Sequence, residues 1–179
     1  MREREDWMGQ VAGSRIGLRL AALILAALAL ASPARAGSSE AFALYARGDY
    51  VAAASRLRPL AETGNPRAQG MLGFLHEYGH GVPQNFGLAA MWYNCGADGG
   101  DPTAQYLLGL LYDKGRGVPE DVVLAQKWLI LAAMRTNRRD RDLYIRVRDA
   151  VASKMTIGQV TLAQQLATQW VSVMRLPAY

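Results

Sequence analysis

Leu72-Gly73, Gly79-His80-Gly81-Val82-Pro83, Ala89 and Trp92 return 36 residues further on as Leu108-Gly109, Gly115-Arg116-Gly117-Val118-Pro119, Ala125 and Trp128. A fixed period of this size predicts stacked helical hairpins, because one such unit cannot bury its apolar face without a neighbour. The fold expected is all-α, a short α-solenoid of helical hairpins with irregular capping helices. Such a fold offers an extended surface for holding something, not a single catalytic pocket.

The turn Gly64-Asn65-Pro66 recurs as Gly100-Asp101-Pro102. Asn65 and Asp101 can each cap a helix whose first residue is proline, a position that has no use for an N–H and suits proline's fixed φ. These first helices are predicted to run to about Tyr78 and Lys114, with Ala68, Leu72, His76 and Ala104, Leu108, Tyr112 along one face. Gly79 and Gly115 stop them, and Gly-x-Gly-Val-Pro reverses the chain and forbids further helix. Asn85 and Asp121 then cap the second helices. Ala89, Trp92, Ala97 and Ala125, Trp128, Ala132, Ala133 form the inner stripe of those helices, the tryptophans filling the wedge between hairpins. Removing either indole is expected to cost about 3–5 kcal/mol.

The sequence from Ala68, and again from Ala104, follows Ala-x3-Leu-Gly-x2-Tyr-x2-Gly-x-Gly-Val-x2-Asp-x3-Ala-x2-Trp-Tyr-x2-Ala-Ala, with His76, Asn85 and Gly96 as departures in the first copy and Leu129 in the second. This pattern resembles the Sel1-like repeat, a relative of the tetratricopeptide repeat. The resemblance implies repeats at 65–100 and 101–136. Residues 37–64, with Phe42 to Tyr50 followed by Ala53, Leu57 and Leu60, read as a capping hairpin closer to a plain tetratricopeptide unit. Residues 137–179 read as atypical C-terminal capping helices: Asp140 to Lys154 opens an irregular third unit, and a last helix follows the Thr156 and Gln159 capping box.

In the related tetratricopeptide units the first helix of each pair lines the concave side. Carried onto this sequence, the resemblance marks Arg67, Phe74 and Glu77 in one unit and Tyr106, Leu110 and Asp113 in the next, with Phe42 and Tyr45 extending the row. Partly exposed aromatic groups in a groove would suit a partner helix or extended peptide. The alternative is that Phe74, Tyr106 and Leu110 pack against a neighbouring hairpin.

Other chemistry is thinly represented. His76-Glu77-Tyr78-Gly79-His80 reads as H-E-x-x-H and contains both histidines of the chain. A zinc-dependent hydrolase would need both rings on one unbroken helical turn. The repeat instead places His76 where Tyr112 stands and His80 beyond the helix stop. Serine-lysine, nucleophile-elbow and Walker patterns are absent, so no enzyme activity, cofactor or metal is expected. The lone Cys95 is expected to pack as a small apolar residue.

Leu20 to Ala31 runs without a charge after Arg15 and Arg19, and Ala34-Arg35-Ala36 follows. That combination describes a secretory signal peptide over 1–36, with cleavage after Ala36 and a periplasmic destination. An uncleaved inner-membrane anchor, and with it an envelope scaffold, is the alternative; Met8 is a second candidate start. Residues 37–179 carry 15 Lys and Arg against 12 Asp and Glu, too mild a balance for a nucleic-acid binder. Residues 135–154 concentrate seven basic side chains against three acidic ones. They read as a solvated helix face, or as a contact for an anionic surface or acidic partner. The function expected is a non-catalytic exported adaptor that binds a protein or peptide on its concave face; partner and oligomeric state are left open.

Overall fold

The computed structural model describes residues 33–175, so the expected leader lies outside the described residues as far as residue 32. The chain divides at Gly37 into two units, and the repeats lie in the second, Ser38–Tyr179. The described residues form eight helices and no strand: α1 (Pro33–Ala46), α2 (Tyr50–Glu62), α3 (Pro66–Tyr78), α4 (Phe86–Asp98), α5 (Pro102–Lys114), α6 (Val122–Arg135), α7 (Arg138–Ala152) and α8 (Ile157–Arg175). None of them is long and apolar enough to cross a membrane.

The caps follow the sequence. Asn65 and Asp101 accept the N–H of Ala68 and Ala104 at 3.0 and 2.7 Å, each with proline opening the helix. Gly79 and Gly115 close α3 and α5 in the left-handed conformation, φ 69° and 61°. The 36-residue period reaches further than the sequence motif. Asp49 caps α2 as Asn85 and Asp121 cap α4 and α6, and Asn137 caps α7 as Asn65 and Asp101 cap α3 and α5.

Leu-Gly in each first helix is explained by what lies on it. A Cβ on Gly73 would sit 2.7 Å from the Tyr93 ring, and one on Gly109 would sit 2.9 Å from Leu129. Tyr93 and Leu129, fully buried and 36 residues apart, therefore lock the hairpins α3–α4 and α5–α6; Leu57 fills the matching place on α2. Gln69 and Gln105, also buried, donate to the carbonyls of Ala61 and Ala97 at 3.0 and 3.1 Å and so tie each first helix to the helix before it. The first helices α3 and α5 touch, whereas the second helices α4 and α6 make at most marginal contact, which puts the first helices on the inside of the curve.

Two expectations about packing change. Trp128 is 3% exposed, but Trp92 is only half-buried. Cys95 is exposed, not packed. Its counterpart 36 residues on is Leu131, fully buried in the cluster that includes Ala167 and flanked by Trp170. Helix α8 lies along α6 and covers Leu131, the position that Cys95 leaves open on α4. The sequence follows suit: Asn94, Cys95 and Asp98 on α4 become Ile130, Leu131 and Met134 on α6. Thr156 and Gln159 form the expected capping box, Gln159 Oε1 accepting from the Thr156 N–H at 2.9 Å.

Candidate partner-binding groove

On the inner side, α1, α3 and α5 enclose a hollow of about 190 Å³ between Phe42, Arg67, Met71, Phe74, Thr103 and Leu107, with the Asp101 cap at its edge. An apolar space of about 150 Å³ takes a benzene ring, whereas drug-sized ligands need about 300–1,000 Å³. The hollow therefore suits one side chain of a larger partner better than a free small molecule.

Arg67, Met71, Phe74 and Tyr78 come to this side because their spacing of four, three and four residues keeps them on one face of α3. The Arg67 guanidinium stands 4.0 Å over the Phe42 ring, its stem covering apolar surface while its charge stays wet. Burial pushes the Asp101 carboxyl above the usual carboxylate range, although the Ala104 N–H and Arg67 draw it down. An aromatic cluster continues the groove: Tyr45 meets Phe74 edge-on at 5.9 Å, Phe74 meets Tyr78 at 4.4 Å, and His80 stacks on Tyr50 at 4.4 Å. Burial raises the Tyr45 phenol, with Tyr50 and Tyr78 adding to it.

Of the residues marked from the sequence, Phe42, Arg67 and Phe74 line this hollow and Tyr45 borders it. Leu110 is half-buried and outside it. Three others face elsewhere. Glu77 is 8% exposed and accepts the Tyr93 hydroxyl at 2.7 Å. Asp113, its counterpart, is buried and held by Lys114 at 2.9 Å and Lys154 at 3.0 Å. Burial alone would raise the Asp113 carboxyl, but the two ammonium groups outweigh it and bring it below the ordinary carboxylate value. Tyr106 stacks on Tyr144 of α7 at 4.1 Å. Positions 77, 106 and 113 thus face neighbouring helices, not the groove. Met71, Thr103 and Leu107, absent from the sequence expectation, supply the lining in their stead; Thr103 stands 36 residues after Arg67, and the i, i+4 step from each gives Met71 and Leu107.

The zinc alternative finds no support in the geometry. His76 is buried with Nδ1 3.3 Å from the Pro83 carbonyl, Glu77 is engaged by Tyr93, and His80 lies past the Gly79 stop against Tyr50. Among the described residues, no three His, Cys, Asp or Glu side chains converge on a common point.

Comparison with known proteins agrees with this architecture. The model of the Sel1 repeat matches residues 66–101 and 102–137. A protective antigen of uropathogenic Escherichia coli strains displaying an SLR fold is similar over 82% of this chain and 33% of its own, with 27% identity and a TM-score of 0.70. A Sel1 repeat protein from Oxalobacter formigenes is similar over 57% of this chain and 42% of its own, with 34% identity and a TM-score of 0.53. The chain thus spans about a third of the first protein and about two fifths of the second. No curated protein shows significant sequence similarity. Repeats of this family typically mediate protein–protein contacts and are generally non-catalytic scaffolds. With hairpins, caps and Leu-Gly contacts repeated 36 residues apart, residues 66–137 are two Sel1 repeats within an all-helical solenoid.

Proposed function

We propose that this module is an adaptor which binds a segment of another protein along the inner groove, seating one apolar or aromatic side chain between α1, α3 and α5. The observation that carries the reading is the hollow itself. Phe42, Met71, Phe74 and Leu107 converge on it from three helices, and Arg67 and Asp101 stand at its margin to orient a peptide backbone or polar neighbour. The run Leu20 to Ala31 with Ala34-Arg35-Ala36 supports export to the periplasm, with a mature terminus at Gly37.

Selection of a displayed random-peptide library on the purified protein tests the groove. Peptides sharing a large apolar or aromatic residue, with affinity lost by at least about tenfold in Phe74→Ala and Leu107→Ala, are the expected result. Selected peptides that bind both variants as well as the parent would refute the site. N-terminal sequencing of the protein from periplasmic extract tests export, with Gly37 as the expected first residue.

A further inference from the structure

The third hairpin is not closed. In the repeats, Gly73 and Gly109 receive Tyr93 and Leu129 from the second helix of their own hairpin. The residue 36 positions after Gly109 is Ile145 on α7, and among the described residues no second helix lies on it: α8 packs along α6 and makes at most marginal contact with α7. The place that a second helix occupies twice in this chain is consequently open the third time. Its floor is apolar. Ile130, Met134 and Ile145 line the side toward α7, and Ile130 and Met134 also border the adjoining hollow toward α8, with Val171. Met134 is 59% exposed, unusual for a residue so placed.

The rim on the α7 side is cationic. Arg141 and Arg148 replace Gln105 and Tyr112 of the preceding first helix. Arg141 makes no ion pair among the described residues, and Arg148 is paired only with the adjacent, exposed Asp149. Asp140 is occupied with Asn137. Asp149 thus answers Arg148 from the exposed side, while Arg141 has no carboxylate partner among the described residues.

We infer that the cleft between α7 and α8 receives an amphipathic helix of a partner protein, one carrying Glu or Asp beside its apolar stripe, which completes the third hairpin. The partner's apolar stripe covers Ile130, Met134 and Ile145 as a second helix does elsewhere in the array, and its carboxylates face Arg141 and Arg148. This surface is separate from the inner groove, and either can fail without the other.

Two synthetic amphipathic helical peptides with the same Leu/Ala stripe, one flanked by Glu and one by Lys, are titrated against the full chain by fluorescence anisotropy. The Glu peptide is expected to bind at least about tenfold more tightly than the Lys peptide. That preference is expected to invert in Arg141→Glu/Arg148→Glu, binding of both to fall in Met134→Glu, and Phe74→Ala to change neither. Circular dichroism confirms that these surface variants stay folded. Equal binding of the two peptides, binding of neither, or a preference unmoved by the arginine reversals would overturn the inference. So would retention on phosphatidylglycerol vesicles that depends on Arg141 and Arg148 with no peptide binding, or self-association that Met134→Glu abolishes.

Discussion

The backbone carbonyl of Tyr50 lies against Cα of Gly81 so closely that a Cβ there would overlap it, and the carbonyl of Phe86 meets Gly117 in the same way 36 residues on. Each Gly-x-Gly loop is thus seated on the start of the preceding second helix, which fixes the stacking of one hairpin on the next. Gly81 and Gly117 also take φ of 70°. Gly81→Ala is expected to destabilise by more than about 3 kcal/mol, since strain in φ and backbone displacement add. Gly48→Ala has the same φ problem, at 83°, with open space around the new methyl, and is expected to cost only about 1 kcal/mol. Urea denaturation of the two variants checks the difference.

Tyr93 donates its hydroxyl to Glu77 in the packed interior of a hairpin. Tyr93→Phe removes the one hydrogen bond that the mostly buried Glu77 carboxylate makes among the described residues and is expected to cost about 1.5–3 kcal/mol, read from the urea midpoint.

Alkaline pH is expected to weaken the fold. Burial raises the phenols of Tyr93, Tyr106, Tyr112 and Tyr144 above their ordinary value, and Glu77 raises Tyr93 further. A raised folded pKa means that the folded state keeps protons the unfolded chain releases near pH 10. The stabilisation is full below about pH 10 and declines as pH climbs through the folded values. Thermal melts from pH 8 to 11 should show a falling Tm, with a shallower fall in Tyr93→Phe.

Asp113 has the opposite sign. Its carboxyl is held below the ordinary value, so its contribution is present above about pH 4 and is lost as pH falls through the lowered folded value. The magnitude is small, because Lys154 is 52% exposed and water screens the pair. A double-mutant cycle of Asp113→Asn and Lys154→Ala is expected to give a coupling of no more than about 1 kcal/mol, shrinking in high salt.

The two tryptophans of the repeat are not equivalent. Trp128→Ala empties a fully packed site beside Trp170, at 6.2 Å, and is expected to cost about 3–5 kcal/mol. Trp92 has no such cover, and Trp92→Ala should cost less than half as much by the same denaturation measurement.

The helix limits, caps and stops of α3 to α6 were legible because each depends on a few adjacent residues: Asn65-Pro66, Gly79, Asn85 and their partners 36 residues on. What each side chain faces was not. Period alone equates Glu77 with Asp113, but both turn away from the groove because of Tyr93 and Lys154, residues distant in the sequence. For Tyr106 the sequence leaves groove and neighbouring hairpin both open, and only α7, by bringing Tyr144 onto the ring, selects the second. Gln69 and Gln105 carry no mark in the repeat pattern, yet each serves a carbonyl of the preceding hairpin. The path of α8 is marked by Leu131, buried beneath it where α4 has the exposed Cys95, a contrast visible only once the two helices are superposed by the repeat.

The groove is tested most directly by placing a photo-crosslinking amino acid at position 107, inside the hollow, and at position 94, on the exposed face of α4, in living cells. A discrete crosslinked polypeptide from position 107, lost with Phe74→Ala, and none from position 94, is the expected result. Crosslinks to the same polypeptide from both positions, or from position 94 alone, would contradict it.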